Sequence, residues 1–364
     1  MAKKEKLVTS ALMDRIKKTS TIKIASVLEE SMFFNEIDET PTEVPAINIA
    51  LSGNIYGGLK SGITTLAGPS RHFKTMYGLI MASAYLKKNK EAVLLFYDSE
   101  FGSPKAYFES VGIDATRVLH VPVKNLEELK FDLMQQLTAV ERGDKLFILI
   151  DSIGNLASLK EADDAEAGKS VGDMSRAKYL KGLYRIITPY LRIKDIPLVQ
   201  IAHIYMTQEI YSKAVVSGGT GIMLSSDNVW LIGRSQDKDG TELSGYNFTI
   251  RIEKSRYVRE KTAIPITVKF EGGMSRYSGL LQIAMDAKAV IKPNMGWYSR
   301  VNDDGEIELK KWREAQTDTE EFWEQVLKGK LFNEYITNHY QVSNGSLLSD
   351  ENIDAELAGA DVDE

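Results

Sequence analysis

The sequence contains no cysteine, so disulfides, thiolate zinc sites and cysteine nucleophiles are all excluded, and nothing argues for an oxidising compartment. It has no apolar run near the roughly 20 residues that a helix needs to cross a bilayer. Its first residues, MAKKEKLVTSALMDRIKK, offer lysines without the apolar stretch of an export signal. No membrane segment is expected, and residence in the cytoplasm is the default. A basic excess is missing too: the formal net charge is −6 over 364 residues, so any contact with nucleic acid has to be local.

The acidity that exists is concentrated at one end. The last fifteen residues, DENIDAELAGADVDE, hold seven acidic and no basic side chains. Removing that charge of −7 from the total of −6 leaves about +1 on the rest. Such a tail buries too little apolar surface to fold and is expected to be disordered.

The hydrophobic content of 43% suits one large core with terminal additions. Residues 6–18 form an amphipathic helix candidate, and residues 20–45 mix β-branched, acidic and proline residues, as an arm outside the core does. From residue 63, apolar runs alternate with helical patterns: ITTLAG, AVLLFYD, VLHV, LFILID, PLVQIAH and VWLIG. Continuous apolar strands of this kind are expected to be buried on both faces of a parallel sheet between helix layers. Between two of them, Leu126, Leu129, Leu133, Leu137 and Val140 repeat at helical spacing up to a stop signal at Gly143. After Gly233 the pattern turns antiparallel, with a turn at DKDG and alternating strands in YNFTIRIEKSRYV and PITVKFEGG. The fold class is therefore α/β: a mostly parallel sheet flanked by helices, ending in an antiparallel hairpin. The expected boundaries are an N-terminal helix and arm over 1–45, a core over 46–290, a small C-terminal α/β domain over 291–342 and the acidic tail over 343–364.

The chemistry centres on GPSRHFKT, residues 68–75, where a strand ends, a loop turns and a helix begins at about Lys74. In that setting loop amides and a helix N-terminus face a phosphate. Gly68, Pro69, Ser70, Arg71, His72 and Phe73 would form the cradle, Lys74 would neutralise phosphate charge, and Thr75 would offer its hydroxyl to Mg2+. Phe73 stands where the general phosphate-loop pattern has glycine, and the segment alone also fits an ordinary strand-to-helix turn. Asp151, at the end of LFILID, can hold Mg2+ at the carboxyl edge of the sheet or simply cap a helix. Glu100, just past LLFYD, can orient or deprotonate a water, or be a surface acid.

Taken together, PAINIALSGNIYGGLKSG, LFYDSEFG, IDSIGNLAS, SGGTG and EKSR resemble the RecA family in sequence and order. The likeness is greatest to the recombinases of T-even-like phages, typified by UvsX, which also carry Phe before the loop lysine; it covers residues 47–340. The resemblance implies a RecA-like P-loop ATPase core that uses ATP and Mg2+, with Lys74, Thr75, Asp151 and Glu100 in the roles above. It further implies that Tyr107 stacks on adenine, unless it is a core residue of its helix. His203 takes the place of the glutamine with which RecA senses the γ-phosphate. Lys254 and Arg256 reach the ATP of a neighbouring subunit; as alternate residues of one strand they are expected on one face.

Two segments resemble the family's DNA-binding loops. The first spans residues 161–171 and has Lys169, with Arg176 nearby; the second spans residues 204–221 and contains Lys213, Gly218 and Gly219. The function implied is ATP-dependent homologous pairing and strand exchange by a helical filament on single-stranded DNA, in recombination, repair and recombination-dependent replication. The partners implied are single-stranded and duplex DNA, further copies of the chain joined through the arm, a single-strand-binding protein and a loading mediator, in the host cytoplasm for a phage-encoded chain. The tail would compete for the DNA surface. Two alternatives stay open: a hexameric RecA-fold helicase, which calls for an N-terminal helical domain not seen here, and a recombination mediator that binds without hydrolysis.

Overall fold

The computed structural model describes residues 10–35, 38–168, 175–207 and 213–342; the acidic tail and Lys169 lie outside them. The arm carries α1 (Ala11–Thr19) and α2 (Met32–Asn35), and α1 buries none of its residues. Its apolar side chains Leu12, Ile16, Ile22 and Leu28 are each more than half exposed. The chain enters the core at α3 (Pro45–Ser52), started by a proline at its first position and buried after it.

The core then runs through β1 (Gly62–Ala67), α4 (Lys74–Lys88), β2 (Val93–Asp98), α5 (Lys105–Ser110), β3 (Val118–Pro122), α6 (Leu126–Ala139), β4 (Leu146–Asp151), α7 (Leu159–Glu166), α8 (Ser175–Lys194) and β5 (Pro197–Ala202). A small hairpin follows, β6 (Ile204–Met206) and β7 (Ala214–Val216), then α9 (Thr220–Ser225). The antiparallel section is β8 (Asn228–Asp239), β9 (Glu242–Ser255), β10 (Ala263–Lys269) and β11 (Gly273–Met274).

These strands make one sheet in the order β11-β10-β9-β8-β1-β5-β4-β2-β3. β1 pairs in parallel with β5 and β8, and β2 in parallel with β3 and β4, whereas β8, β9 and β10 pair antiparallel. β1, β4 and β5 are buried along their whole length, as continuous apolar runs require. β3 departs from that expectation: it is the outer edge strand, and VLHV is largely exposed, Leu119 by 50%. The helix of residues 126–140 is present but stops earlier than Gly143, at Ala139; Gly143 has φ 110° and serves the short turn that follows.

Two apolar cores lie on the two faces of the sheet. One gathers Leu129, Leu133 and Leu137 of α6 with Leu180, Leu183 and Ile187 of α8; truncating a residue such as Leu133 costs about 2–5 kcal/mol. The other gathers α3, α4, Trp230 and the β9–β10 strands.

The C-terminal section contains α10 (Leu280–Asp286), β12 (Val290–Asn294), β13 (Trp297–Arg300), β14 (Trp312–Arg313), α11 (Glu320–Lys328) and α12 (Lys330–Tyr340). Its Tyr298, Trp312, Phe322, Trp323 and Phe332 are contiguous with that second core. This section therefore packs as an extension of the core on the α3 side and shares its interior.

Candidate functional site

The carboxyl ends of β1, β2, β4 and β5 meet at one edge, because Asp98 is in register with Asp151 and Ala67 with Ala202. Each strand delivers a polar residue there. From β1 the chain turns through residues 68–73 into α4. Gly68 is needed for close approach, since a Cβ would lie 2.8 Å from the Ile232 carbonyl oxygen. No side chain caps the N-terminus of α4, so its first-turn amides are open to an anion.

Phe73 takes φ 61°, ψ 14°, and Arg71 takes φ 62°. The loop thus follows the backbone path that glycine would give, and each non-glycine residue there costs about 1–2 kcal/mol. Lys74 is buried, and its Nζ donates to the Pro69 carbonyl at 2.7 Å. Burial holds its pKa below the ordinary lysine value against the opposing pull of Glu100 and Asp151. His72 Nδ1 sits 2.9 Å from the Ser70 carbonyl, and its pKa is lowered, by burial first and then by Arg234 and Lys74.

Asp151 is 3% exposed, and its Oδ2 accepts from Thr75 Oγ1 at 2.7 Å. Its Oδ1 is buried without a hydrogen-bond partner. Burial, helped by the neighbouring Glu100 and Asp98 charges, raises its pKa to about 6 against the Thr75 hydrogen bond. A buried carboxylate oxygen with no donor, beside a hydroxyl and with its charge disfavoured, fits a hard divalent cation.

Glu100 lies beyond β2 on a turn that Asp98 builds: the buried Asp98 Oδ1 accepts from the Glu100 amide at 3.1 Å and the Phe101 amide at 2.7 Å. Three donors converge on Glu100 Oε1: Ser152 Oγ at 2.6 Å, Asn155 Nδ2 at 2.8 Å and His203 Nε2 at 2.9 Å. Burial pushes the Glu100 pKa up, but the Ser152 and His203 hydrogen bonds, with the charges of His203 and Lys74, outweigh it and hold the carboxyl below its usual range. Ser152 and Asn155 follow β4 and His203 follows β5, so this one oxygen touches both chain segments that lead into the expected DNA loops. Asp98, Ser152 and Asn155 were not singled out from the sequence; the pairing of β2 with β4 brings them to the site, and only the run IDSIGN after the strand that carries Asp151 hints at it.

The remaining candidates separate. Tyr107 is 43% exposed on α5 while the adjacent Phe108 is buried, so it is not a core tyrosine. Lys254 is the last but one residue of β9, but Arg256 lies one residue past the strand end, so strand alternation does not align the two. In the single chain Lys254 Nζ caps α9 through the carbonyls of Met223 (2.7 Å) and Leu224 (3.1 Å), and Arg256 Nε donates to Asp227 Oδ1 at 2.6 Å. The first loop segment overlaps α7, which starts two residues before it and is capped by Ser158. Arg176 donates to the carbonyls of Leu156 (2.8 Å), Gly154 (2.9 Å) and Ile153 (3.2 Å), which makes it a brace for the chain after β4. The second loop segment begins with the β6–β7 hairpin, and Lys213 is exposed just beyond the Met206–Ala214 pair, at the hairpin end away from β5. Gly218 has φ 116°, and a Cβ there would lie 2.4 Å from Ile222 Cδ1, so its glycine serves internal packing; Gly219 is exposed before α9.

The chain is similar to known recombination proteins. Residues 277–336 match the family described as Bacteriophage T4, Recombination and repair protein, C-terminal domain. The chain is 48% identical over 353 residues to the recombination and repair protein of Enterobacteria phage T4, covering 96% of this chain and 90% of that one. It is 22% identical over 301 residues to protein RecA of Prochlorococcus marinus (strain MIT 9303), covering 81% and 76% of the two chains. With protein RecA of Corynebacterium urealyticum it shares 24% over 366 residues, 96% and 95% of the two.

Proposed function

The chain belongs to the family of the phage T4 recombination and repair protein, within the wider RecA relatives, and on that premise we propose that it is a DNA recombinase whose ATP turnover depends on single-stranded DNA. The observation that carries this reading is the convergence of the Lys74–Thr75–Asp151 group and the Glu100–His203 pair at one sheet edge. Open α/β sheets bind ligands at that edge.

ATP would lie with its phosphates on the 68–73 loop and the start of α4. Lys74 would exchange the Pro69 carbonyl for phosphate oxygens, and Tyr107 would lie against the adenine. Thr75 and Asp151 are the residues that would hold Mg2+, which when bound supplies positive charge to the β- and γ-phosphate oxygens. Glu100 takes its three donors on Oε1, leaving Oε2 to accept the proton of the attacking water. While those donors hold its pKa down it is a weak base; withdrawal of His203 or Asn155 strengthens it. Movement of either loop stem on DNA would thereby set the rate of hydrolysis.

Lys254 and Arg256 would leave α9 and Asp227 to reach the ATP of the next subunit, making the site a shared one. The arm, with its exposed Ile22 and Leu28, would join subunits head to tail by adding to a sheet edge or groove, a contact that propagates as a filament. Lys213 and Gly219 are the candidates among the described residues for contact with DNA. Duplex DNA, a single-strand-binding protein and a loading mediator complete the proposed partners, in the host cytoplasm.

ATP turnover with and without single-stranded DNA, paired with electron micrographs of the same mixtures, tests this. DNA-stimulated turnover with helical filaments is expected. Rings would point to a helicase, and filaments without turnover to a mediator.

A further inference from the structure

Arg71 and Phe73 are the two residues of the phosphate loop held at positive φ without being glycine, and both are gripped from one place on the sheet. Arg234 of β8 and Phe248 of β9 are cross-strand partners in register. Arg234 donates to the Arg71 carbonyl at 3.0 Å, and its guanidinium lies 4.5 Å above the Tyr246 ring. The Phe248 ring is 5.4 Å from that of Phe73, which also meets Tyr77 edge-on at 5.5 Å. Phe248 and Tyr77 are buried, and Tyr77 in turn meets Trp230 edge-on at 6.4 Å. The Phe73 ring is thus held between two buried side chains, Phe248 of β9 and Tyr77 of α4.

We propose that Phe248 and Arg234 are positioning residues that hold the phosphate loop in its binding shape, doing through packing what glycine does elsewhere through backbone freedom. A glycine at 73 would populate φ near +60° unaided. A phenylalanine returns to negative φ unless its ring is held. The grip comes from strands leading directly to Lys254 at the end of β9, so the loop and that lysine are fixed to the same pair of strands. This inference rests on the loop's being the ATP phosphate site.

The test is equilibrium binding of a fluorescent ATP analogue to the full chain, with steady-state KM and kcat and thermal melting. Phe248→Ala is expected to weaken nucleotide binding and raise KM about tenfold, the loss of one well-packed aromatic pair, with a smaller change in kcat. Adding Phe73→Gly to Phe248→Ala is expected to restore binding to within about threefold of the parent, while the melting temperature stays low, because the cavity remains. If Phe248→Ala does not fold, Phe248→Leu replaces it with the same expectation in weaker form. A double variant that binds no better than Phe248→Ala would overturn the proposal. A parent chain that does not bind the analogue at all would contradict the proposed function itself, a distinct outcome.

Discussion

His203 Nε2 and Glu100 Oε1 lie 2.9 Å apart, joining the end of β5 to the turn after β2 across the site. With Asn155 Nδ2 on the same oxygen at 2.8 Å, the carboxylate is held between the two chain segments that lead to the hairpin and to α7.

Asn155→Ala removes one donor from Glu100. Its pKa is expected to rise toward the usual carboxylate range, since the loss of a hydrogen bond to the charged form favours the neutral one. Turnover without DNA should change by about threefold to tenfold and ATP affinity by less. The pH profile of kcat, with its acidic limb moved upward, is the check; an unmoved limb would remove Asn155 from the control of Glu100.

Asp151 carries a pKa raised to about 6. A raised carboxyl pKa means that the folded chain binds the proton more tightly than the unfolded chain. This stability is fully present below about pH 4 and is lost as pH rises through about 6. At pH 7.5 without metal, Asp151→Asn should therefore be more stable than the parent by on the order of 2 kcal/mol. Mg2+ with ATP should raise the melting temperature of the parent and not of the variant. In the parent, that stabilisation should fade as pH falls below about 6.

Lys254 and Arg256 are engaged inside the single chain, on α9 and Asp227. Asp227 remains bonded to Arg192 and to the Ile63 amide when Arg256 leaves, so its release costs little. Lys254→Ala with Arg256→Ala should abolish DNA-dependent turnover while changing stability by about 1 kcal/mol or less. Mixing this inactive double variant with inactive Glu100→Gln should recover turnover, because mixed interfaces unite an intact carboxylate with intact cations. No recovery would argue for a site complete within one subunit.

Much of this was legible in the sequence where one segment decided the outcome. LFILID and PLVQIAH are buried runs and could only be interior strands, and their last residues reach the site. The exposed edge β3 was not legible, because VLHV reads like its neighbours until the order of the sheet is known. Ser152 and Asn155 acquire their role from the adjacency of β2 and β4, a long-range fact. Phe73 reads as a departure from the loop pattern; its ring contacts with Phe248, far along the chain, explain how it is accommodated. Arg256 was expected beside Lys254 by alternation, but β9 ends between them.

Glu100 as the base of an ATP site controlled by DNA is open to a direct test. The most direct measurement is ATP turnover at saturating single-stranded DNA for the parent and Glu100→Gln, alongside equilibrium ATP binding. Binding should agree within about threefold while turnover in the variant falls by about a hundredfold or more. Turnover near the parent's in Glu100→Gln would remove Glu100 from the chemistry.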